Sequence, residues 1–244
     1  MARLSVNLNK IALLRNSRRT GVPDLRRFGE LALAAGAKGL TVHPRPDERH
    51  IRAADVPLVA ELMRPHRPAI EFNIEGYPDE RFMEIVRDIR PEQVTLVPDA
   101  PGVFTSEEGW KLDPAQVALV TPAIAAMKAF GCRVILFIDP DADVIERVRS
   151  ADADGVEIYT GGYAAAFRDG QFDDVLERIT ATAAAARAAG LVVNAGHDLN
   201  LKNIPFLMGA VPFLAEASIG HELTADALEK GWPLAVAAYV AALR

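Results

Sequence analysis

The stretch AAGAKGLTVHPRPDERH, residues Ala34–His50, decides the fold. Its first part closes an amphipathic helical pattern with glycine, which lets a helix stop and the chain turn into extended backbone. Gly39–His43 then reads as a short buried strand, apolar and partly β-branched. At its end or just past it stand His43, Arg45 and His50. Helix, glycine turn, strand and polar strand end make one unit of a repeating design.

The same grammar runs outward in both directions. Strand-like runs fall at Leu4–Leu8, Gly39–His43, Ala69–Asn73, Gln93–Val97, Arg133–Ile138, Gly155–Tyr159, Leu191–Ala195 and Glu216–Ile219, eight in all. Helical patterns lie between them at Asp24–Ala35, Pro57–Met63, Asp79–Ile89, Pro114–Phe130, Ala142–Ser150 and Asp173–Ala189, with a last helix expected over Ala225–Leu243. The segments AFGCR and AAGLV repeat the glycine turn, while Pro23-Asp24, Tyr77-Pro78-Asp79 and Leu112-Asp113-Pro114 start helices with aspartate as cap or first-turn anion. Strict alternation implies a parallel sheet with right-handed crossovers. Eight units predict an α/β fold of the (β/α)8 TIM-barrel type with extra helices, filling residues 1–244 as one domain. An open doubly wound sheet would carry a glycine-rich turn after its first strand, and none is present.

Composition narrows the function classes. Half of the residues are hydrophobic and a quarter charged, ordinary for a soluble globular chain. The net charge of −6 gives no overall basic field to attract nucleic acid. A lone cysteine, Cys132, makes no internal disulfide and suits a packing role in a reducing compartment. The opening MARLSVNLNK lacks the apolar core of a signal peptide, and no apolar stretch reaches the roughly 20 residues a membrane span requires. A cytoplasmic protein with no membrane partner is expected.

Four of the five histidines, His43, His50, His197 and His221, stand at or just past strand ends, where a barrel gathers its chemistry. His66, in RPHRP between a helix and a strand, is expected to be an ordinary solvated residue. The other strand ends offer Asn7, Asn9 and Lys10, then Glu71, Asn73 and Glu75, then Asp139, Glu157, Asn194 and Asp198, with Thr105 in the long connection after the fourth. Carboxylates inside strand patterns, such as Glu71 in AIEFNI and Glu157 in GVEIYT, are unusual because a buried charge needs a partner. They serve either as a structural ion pair within the barrel or as site chemistry.

Arg15, Arg18 and Arg45 follow the first two strands and suit phosphate or carboxylate oxygens. The turns AGHD and IGHE after the seventh and eighth strands match the usual barrel phosphate site. Two anion sites at one mouth fit two phosphorylated reactants or one bisphosphate. No lysine ends strands two to eight, which disfavours a Schiff base, with Lys10 as the one candidate. There is no H-x-H or H-E-x-x-H pattern for zinc, and Arg45 beside His43 would repel a metal held by His43, Glu71, Glu157 and His197. A sugar-phosphate isomerase or aldolase, a metal-dependent hydrolase and an inactive phosphate-binding protein stay open on the residues alone. The connections Pro98–Asp113 and Thr160–Phe172 are long enough to carry substrate contacts or a lid.

The segments SVNLNKIALLRNSR, GLTVHPRPDERHI, AIEFN, TLVPD, LFID, VEIYTGGYA, VNAGHDL and SIGHE together resemble the pyridoxine 5′-phosphate synthase family of vitamin B6 biosynthesis. The resemblance implies an octameric barrel that condenses 1-deoxy-D-xylulose 5-phosphate with 3-amino-2-oxopropyl phosphate and releases phosphate and water, without a cofactor or bound metal. It makes His43 and Glu71 proton acceptors, His197 the proton donor and Glu157 a stabiliser of the transition state. Arg45, His50 and Thr105, with Asn9 and Lys10, would hold the deoxyxylulose phosphate. Asn7, Arg18, Asp198, Gly220 and His221 would hold the amino-ketone phosphate. Pro98–Gly109 is the expected lid. The family commonly has Asp-His where this chain has Asn9-Lys10, and often Gly where it has Asp198, so this chain reads as a variant with a more positive sugar-phosphate pocket.

Overall fold

The short apolar runs pair edge to edge until no free sheet edge is left. The computed structural model describes residues 1–99 and 108–244. Its strands are β1 (Arg3–Asn7), β2 (Gly39–Val42), β3 (Glu71–Gly76), β4 (Gln93–Leu96), β5 (Arg133–Ile138), β6 (Gly155–Tyr159), β7 (Val192–Gly196) and β8 (Glu216–Ile219). All pair in parallel with their chain neighbours, and β8 closes on β1 through the register Ser5 to Ser218. The barrel is therefore closed, as the alternation required.

The helices are α1 (Asn9–Asn16), α2 (Leu25–Ala34), α3 (Asp55–Met63), α4 (Glu80–Ile89), α5 (Pro114–Ala129), α6 (Ile145–Ser150), α7 (Gly161–Arg168), α8 (Asp173–Ala188), α9 (Ile204–Ala210), α10 (His221–Lys230) and α11 (Trp232–Ala242). The expected aspartate caps form: Asp24, Asp79 and Asp113 accept from the backbone N–H groups of Arg27, Phe82 and Gln116 at 2.8, 2.8 and 2.9 Å. Helices α1, α7 and α9 escape the sequence pattern because each has eight residues or fewer, too short to show a clear period. The expected single last helix is two, α10 and α11, because Gly231 sits between them at φ +81°, outside helical space. Among the described residues no helix is long and apolar enough to cross a membrane.

Strand residues alternate between two surroundings. Leu40, Val42, Phe72, Ile74, Val94 and Leu96 are fully buried apolar residues of the hydrophobic core. The intervening residues point into the barrel and are polar. Gln93 on β4 donates to Glu216 on β8 at 2.9 Å, and these strands are not neighbours, so the bond crosses the interior. Ser5 and Thr41 meet at 2.7 Å, Thr95 donates to Asn73 at 3.2 Å, and Asn194 donates to Gln93 at 3.2 Å. These bonds matter because an unpaired polar group is costly in so dry a place.

At the amino-terminal end, Glu71 opens β3 and pairs with Arg3, the first residue of β1, at 2.7 Å. It also pairs with Arg133, the first residue of β5. Burial pushes the Glu71 carboxyl up, but the hydrogen bonds and charge of Arg133 and Arg3 outweigh it and hold the group below its usual range. The structural ion pair is the role this position plays.

Candidate active site

Along β3, a period of two places Glu71, Asn73 and Glu75 on the same inward face at successive depths. The strand runs to Gly76, further than the expected end at Asn73, and this carries Glu75 to the carboxyl-terminal end of the barrel. A cavity of about 430 Å³ opens there. Of the expected site residues, Asn7, Asn9, Lys10, His43, Arg45, His50, Glu157, His197, Asp198, Gly220 and His221 line it. The expectation that Glu71 joins His43 as a proton acceptor is corrected, because its carboxylate is engaged by arginines at the opposite end. Arg18 lies exposed beyond α1 and does not line the cavity; Arg15, nearby, is buried instead against Asp55. Thr105 and most of the expected lid Pro98–Gly109 lie outside the described residues. Glu75, Phe137, Tyr159 and Ser218 line the cavity without having been singled out as site residues.

Each imidazole is held by a local device. The backbone N–H of His43 donates to the Asn9 side chain at 2.9 Å, and the backbone N–H of Asn9 donates to the Asn7 side chain at 2.9 Å. The first strand end thereby clamps the second. His43 Nδ1 faces Glu75 Oε2 at 3.8 Å. The His43 ring lies 6.0 Å from that of His50, whose Nδ1 accepts from the Ile51 N–H at 2.9 Å and so leaves its proton on Nε2. Burial, then the charges of Arg45 and His50, hold His43 well below the usual histidine range. Burial and the nearby Arg45, Arg49 and Lys10 cations bring His50 down to about 4. Both imidazoles are neutral at pH 7 and can accept a proton.

His197 stands on a turn no ordinary loop would adopt: His197 and Asp198 have consecutive positive φ values of +82° and +55°. The Thr160 hydroxyl reaches the carbonyls of Gly196 and His197 at 2.5 and 2.6 Å and holds the turn, a role the sequence did not announce. The His197 ring sits 4.9 Å from Phe137 and 5.3 Å from Tyr159. Burial lowers its pKa, and Asp198 and Asp99 partly oppose that.

Glu157 reaches the site from β6, buried to 2 % exposure, and its Oε2 has no hydrogen-bond partner among the described residues. Burial, then the neighbouring Glu75 and Glu216, drives its carboxyl well above the usual range and favours the protonated form, which can donate. Gly196 makes room for it. A Cβ there would lie 2.1 Å from Glu157 Oε1, so the backbone of β7 approaches this carboxyl more closely than any other residue type allows. Gly196→Ala is expected to lower stability by about 1–3 kcal/mol, the usual result of overpacking a tight interior, with a shifted urea midpoint as the measure. A midpoint matching that of the parent protein would show that Glu157 is not confined as described.

Cations collect on one side of the mouth. Lys10, Arg45 and Arg49 line the cavity, and Arg45 is paired with the buried Asp99 beyond β4. On the other side Gly220 packs against Asn7, where a Cβ would come within 3.0 Å of the Asn7 Cβ, and α10 begins at the next residue. The first-turn N–H groups of α10 and its positive dipole end therefore start at the lip. The arrangement offers neutral imidazoles, a buried carboxyl whose protonated form is favoured, and two separate places for anions. Among the described residues, no group of three or more His, Cys, Asp or Glu side chains is placed to hold a metal ion.

Residues 4–244 match the family described as pyridoxal phosphate biosynthesis protein PdxJ. The chain is 54% identical over 231 residues to the pyridoxine 5′-phosphate synthase of Mesorhizobium japonicum, covering 94% of both chains. It is 50% identical over 243 residues to that of Brucella suis, covering 99% of this chain and 98% of the relative. Among solved structures it is similar to a 3-hexulose-6-phosphate synthase (TM-score 0.65, 15% identity, 99% of this chain and 100% of the other). It is likewise similar to tryptophan synthase from M. tuberculosis (TM-score 0.66, 12% identity, 100% and 94%). At such identities these structures share the barrel alone.

Proposed function

The chain belongs to the PdxJ family of pyridoxal phosphate biosynthesis proteins, and on that premise we propose that it is a pyridoxine 5′-phosphate synthase. It condenses 1-deoxy-D-xylulose 5-phosphate with 3-amino-2-oxopropyl phosphate. The observation that carries this reading is the convergence of His43, His197 and Glu157 with two anion-binding edges on one cavity at the carboxyl-terminal mouth.

The substrate's own amine forms the imine, so the reaction requires neither a protein lysine nor a cofactor. His43, neutral at pH 7, takes protons; His197, across the cavity, returns them to leaving hydroxyl or phosphate oxygens. Glu157, whose burial favours the protonated form, donates a hydrogen bond to negative charge that develops on the substrate. The deoxyxylulose phosphate lies against Asn9, Lys10, Arg45 and His50. The amino-ketone phosphate lies against Asn7, Asp198, Gly220, His221 and the start of α10. Asp198 presents its backbone to this phosphate while its carboxylate turns aside. Lys10 contributes a cation beside the sugar phosphate, the property that sets this variant apart. The protein works in the cytoplasm as a homo-oligomer, with exposed Leu228 and Leu234 on the last two helices as apolar surface for subunit contact.

The test is direct. Purified protein mixed with the two phosphates is expected to generate the absorbance of pyridoxine 5′-phosphate and to release inorganic phosphate. Absence of both products, with each substrate bound, would remove the assignment.

A further inference from the structure

We propose that Thr160 and Asn203 are positioning residues of the reaction: together they brace the His197–Asp198 turn from outside the cavity, fix the imidazole at the mouth and turn the Asp198 N–H toward the amino-ketone phosphate. This rests on the synthase reading above for what His197 and that phosphate do, though not for how the turn is held.

Both residues occupy helix N-cap positions, Thr160 before α7 and Asn203 before α9, and neither side chain makes a cap hydrogen bond. Threonine and asparagine at such positions ordinarily accept from the first-turn N–H groups. Here both are spent on one loop instead. Thr160 Oγ1 lies 2.5 Å from the Gly196 carbonyl oxygen and 2.6 Å from that of His197. The Gly196 carbonyl already accepts the Thr160 N–H at 2.9 Å, so the single hydroxyl proton serves His197. Asn203 Nδ2 donates to the Asp198 carbonyl at 3.1 Å, and its Oδ1 accepts the Asn200 N–H at 2.8 Å. Its own carbonyl accepts from the Tyr163 hydroxyl of α7 at 2.8 Å. Three consecutive carbonyls, those of Gly196, His197 and Asp198, are thus held by two side chains that are fully buried and do not line the cavity.

Backbone at positive φ is costly for a residue with a side chain and persists where its surroundings over-determine it. His197 and Asp198 adopt it one after the other. In a trans peptide the carbonyl and the following N–H point to opposite sides. Holding the His197 carbonyl toward Thr160 therefore sends the Asp198 N–H the other way, and holding the Asp198 carbonyl toward Asn203 does the same for the Leu199 N–H. Successive N–H groups in such a turn make an anion-binding hollow. The same brace keeps the imidazole between Phe137 and Tyr159, and a proton donor misplaced by about 1 Å loses about a hundredfold in rate.

Thr160→Val keeps the shape of the side chain and removes the hydroxyl. With its fold confirmed by circular dichroism, it is expected to lower kcat by about ten- to a hundredfold and to raise KM for the amino-ketone phosphate about tenfold, while KM for the deoxyxylulose phosphate stays within about threefold. Asn203→Asp, which keeps the acceptor for Asn200 and loses the donor to Asp198, is expected to show the same split. Thr160→Ser, which keeps the hydroxyl, is expected to stay within about threefold of the parent in all three constants. Parent-like turnover in Thr160→Val, an equal rise in both KM values, or a Thr160→Ser variant as impaired as Thr160→Val would overturn the proposal. A second readout needs neither turnover nor a variant. His197-Asp198 is the one His-Asp pair in the chain, so histidine labelled with carbon-13 at the carbonyl and aspartate labelled with nitrogen-15 single out the Asp198 amide by NMR. Its proton resonance is expected to move downfield as inorganic phosphate is added to the parent protein. An amide that does not respond would overturn the proposal whether or not the protein makes pyridoxine 5′-phosphate; a response in a protein that makes no product, abolished in Thr160→Val, would instead discard the synthase reading and keep the brace.

Discussion

His197→Ala is expected to lower the rate of pyridoxine 5′-phosphate formation by about a hundredfold or more, the range lost with a general acid or base. The structure makes this the most exposed point of the chemistry. Loss of the imidazole leaves a gap between the rings of Phe137 and Tyr159, which line the same cavity. The turn itself is held by Thr160 through backbone carbonyls, so the substitution is expected to leave the fold intact. Single-turnover kinetics with the two phosphates checks it: substrate binding should persist while the dehydration and phosphate-release steps slow. Turnover within a few fold of the parent would show that protons come from elsewhere in the mouth.

Asp55→Ala is expected to lower stability by about 3–5 kcal/mol, the range found when one partner of a buried ion pair is removed. Arg15 on α1 holds both oxygens of Asp55 on α3, at 2.5 and 2.8 Å, and the two side chains are only 10% and 9% exposed. The same carboxylate accepts from the Arg52 N–H at 2.7 Å, and Arg15 also reaches the His50 carbonyl at 3.2 Å. Removing the carboxylate would strand a guanidinium in a dry place and loosen the loop that carries Arg45 and His50. Urea denaturation measures the loss; a change below about 1 kcal/mol would mean that the guanidinium finds water or another partner. Substrate affinity should fall with it, because the loop lines the cavity.

Much of this molecule is legible from residues in a row. Short apolar runs, glycine turns and aspartate caps are local signals, and β5, β6 and β8 match their expected bounds residue for residue. The imidazoles stand at strand ends, so the parallel order of the barrel alone brings His43, His50, His197 and His221 to one mouth. The Thr160 clamp and the Gly196 approach are different in kind. Both depend on β6 and β7 lying side by side, where Tyr159 pairs with Gly196. The short helices α1, α7 and α9 were hidden because so few residues cannot display a helical period.

The sequence by itself determined the closed barrel and the face on which its chemistry gathers, because apolar runs and turn chemistry act between near neighbours along the chain. Only the tertiary structure decided which glutamate meets the histidine. Glu71, Asn73 and Glu75 share one side of β3, and spacing alone cannot say how deep each one lies. Strand register sets that depth, and it leaves Glu71 between two arginines and Glu75 in the mouth beside His43.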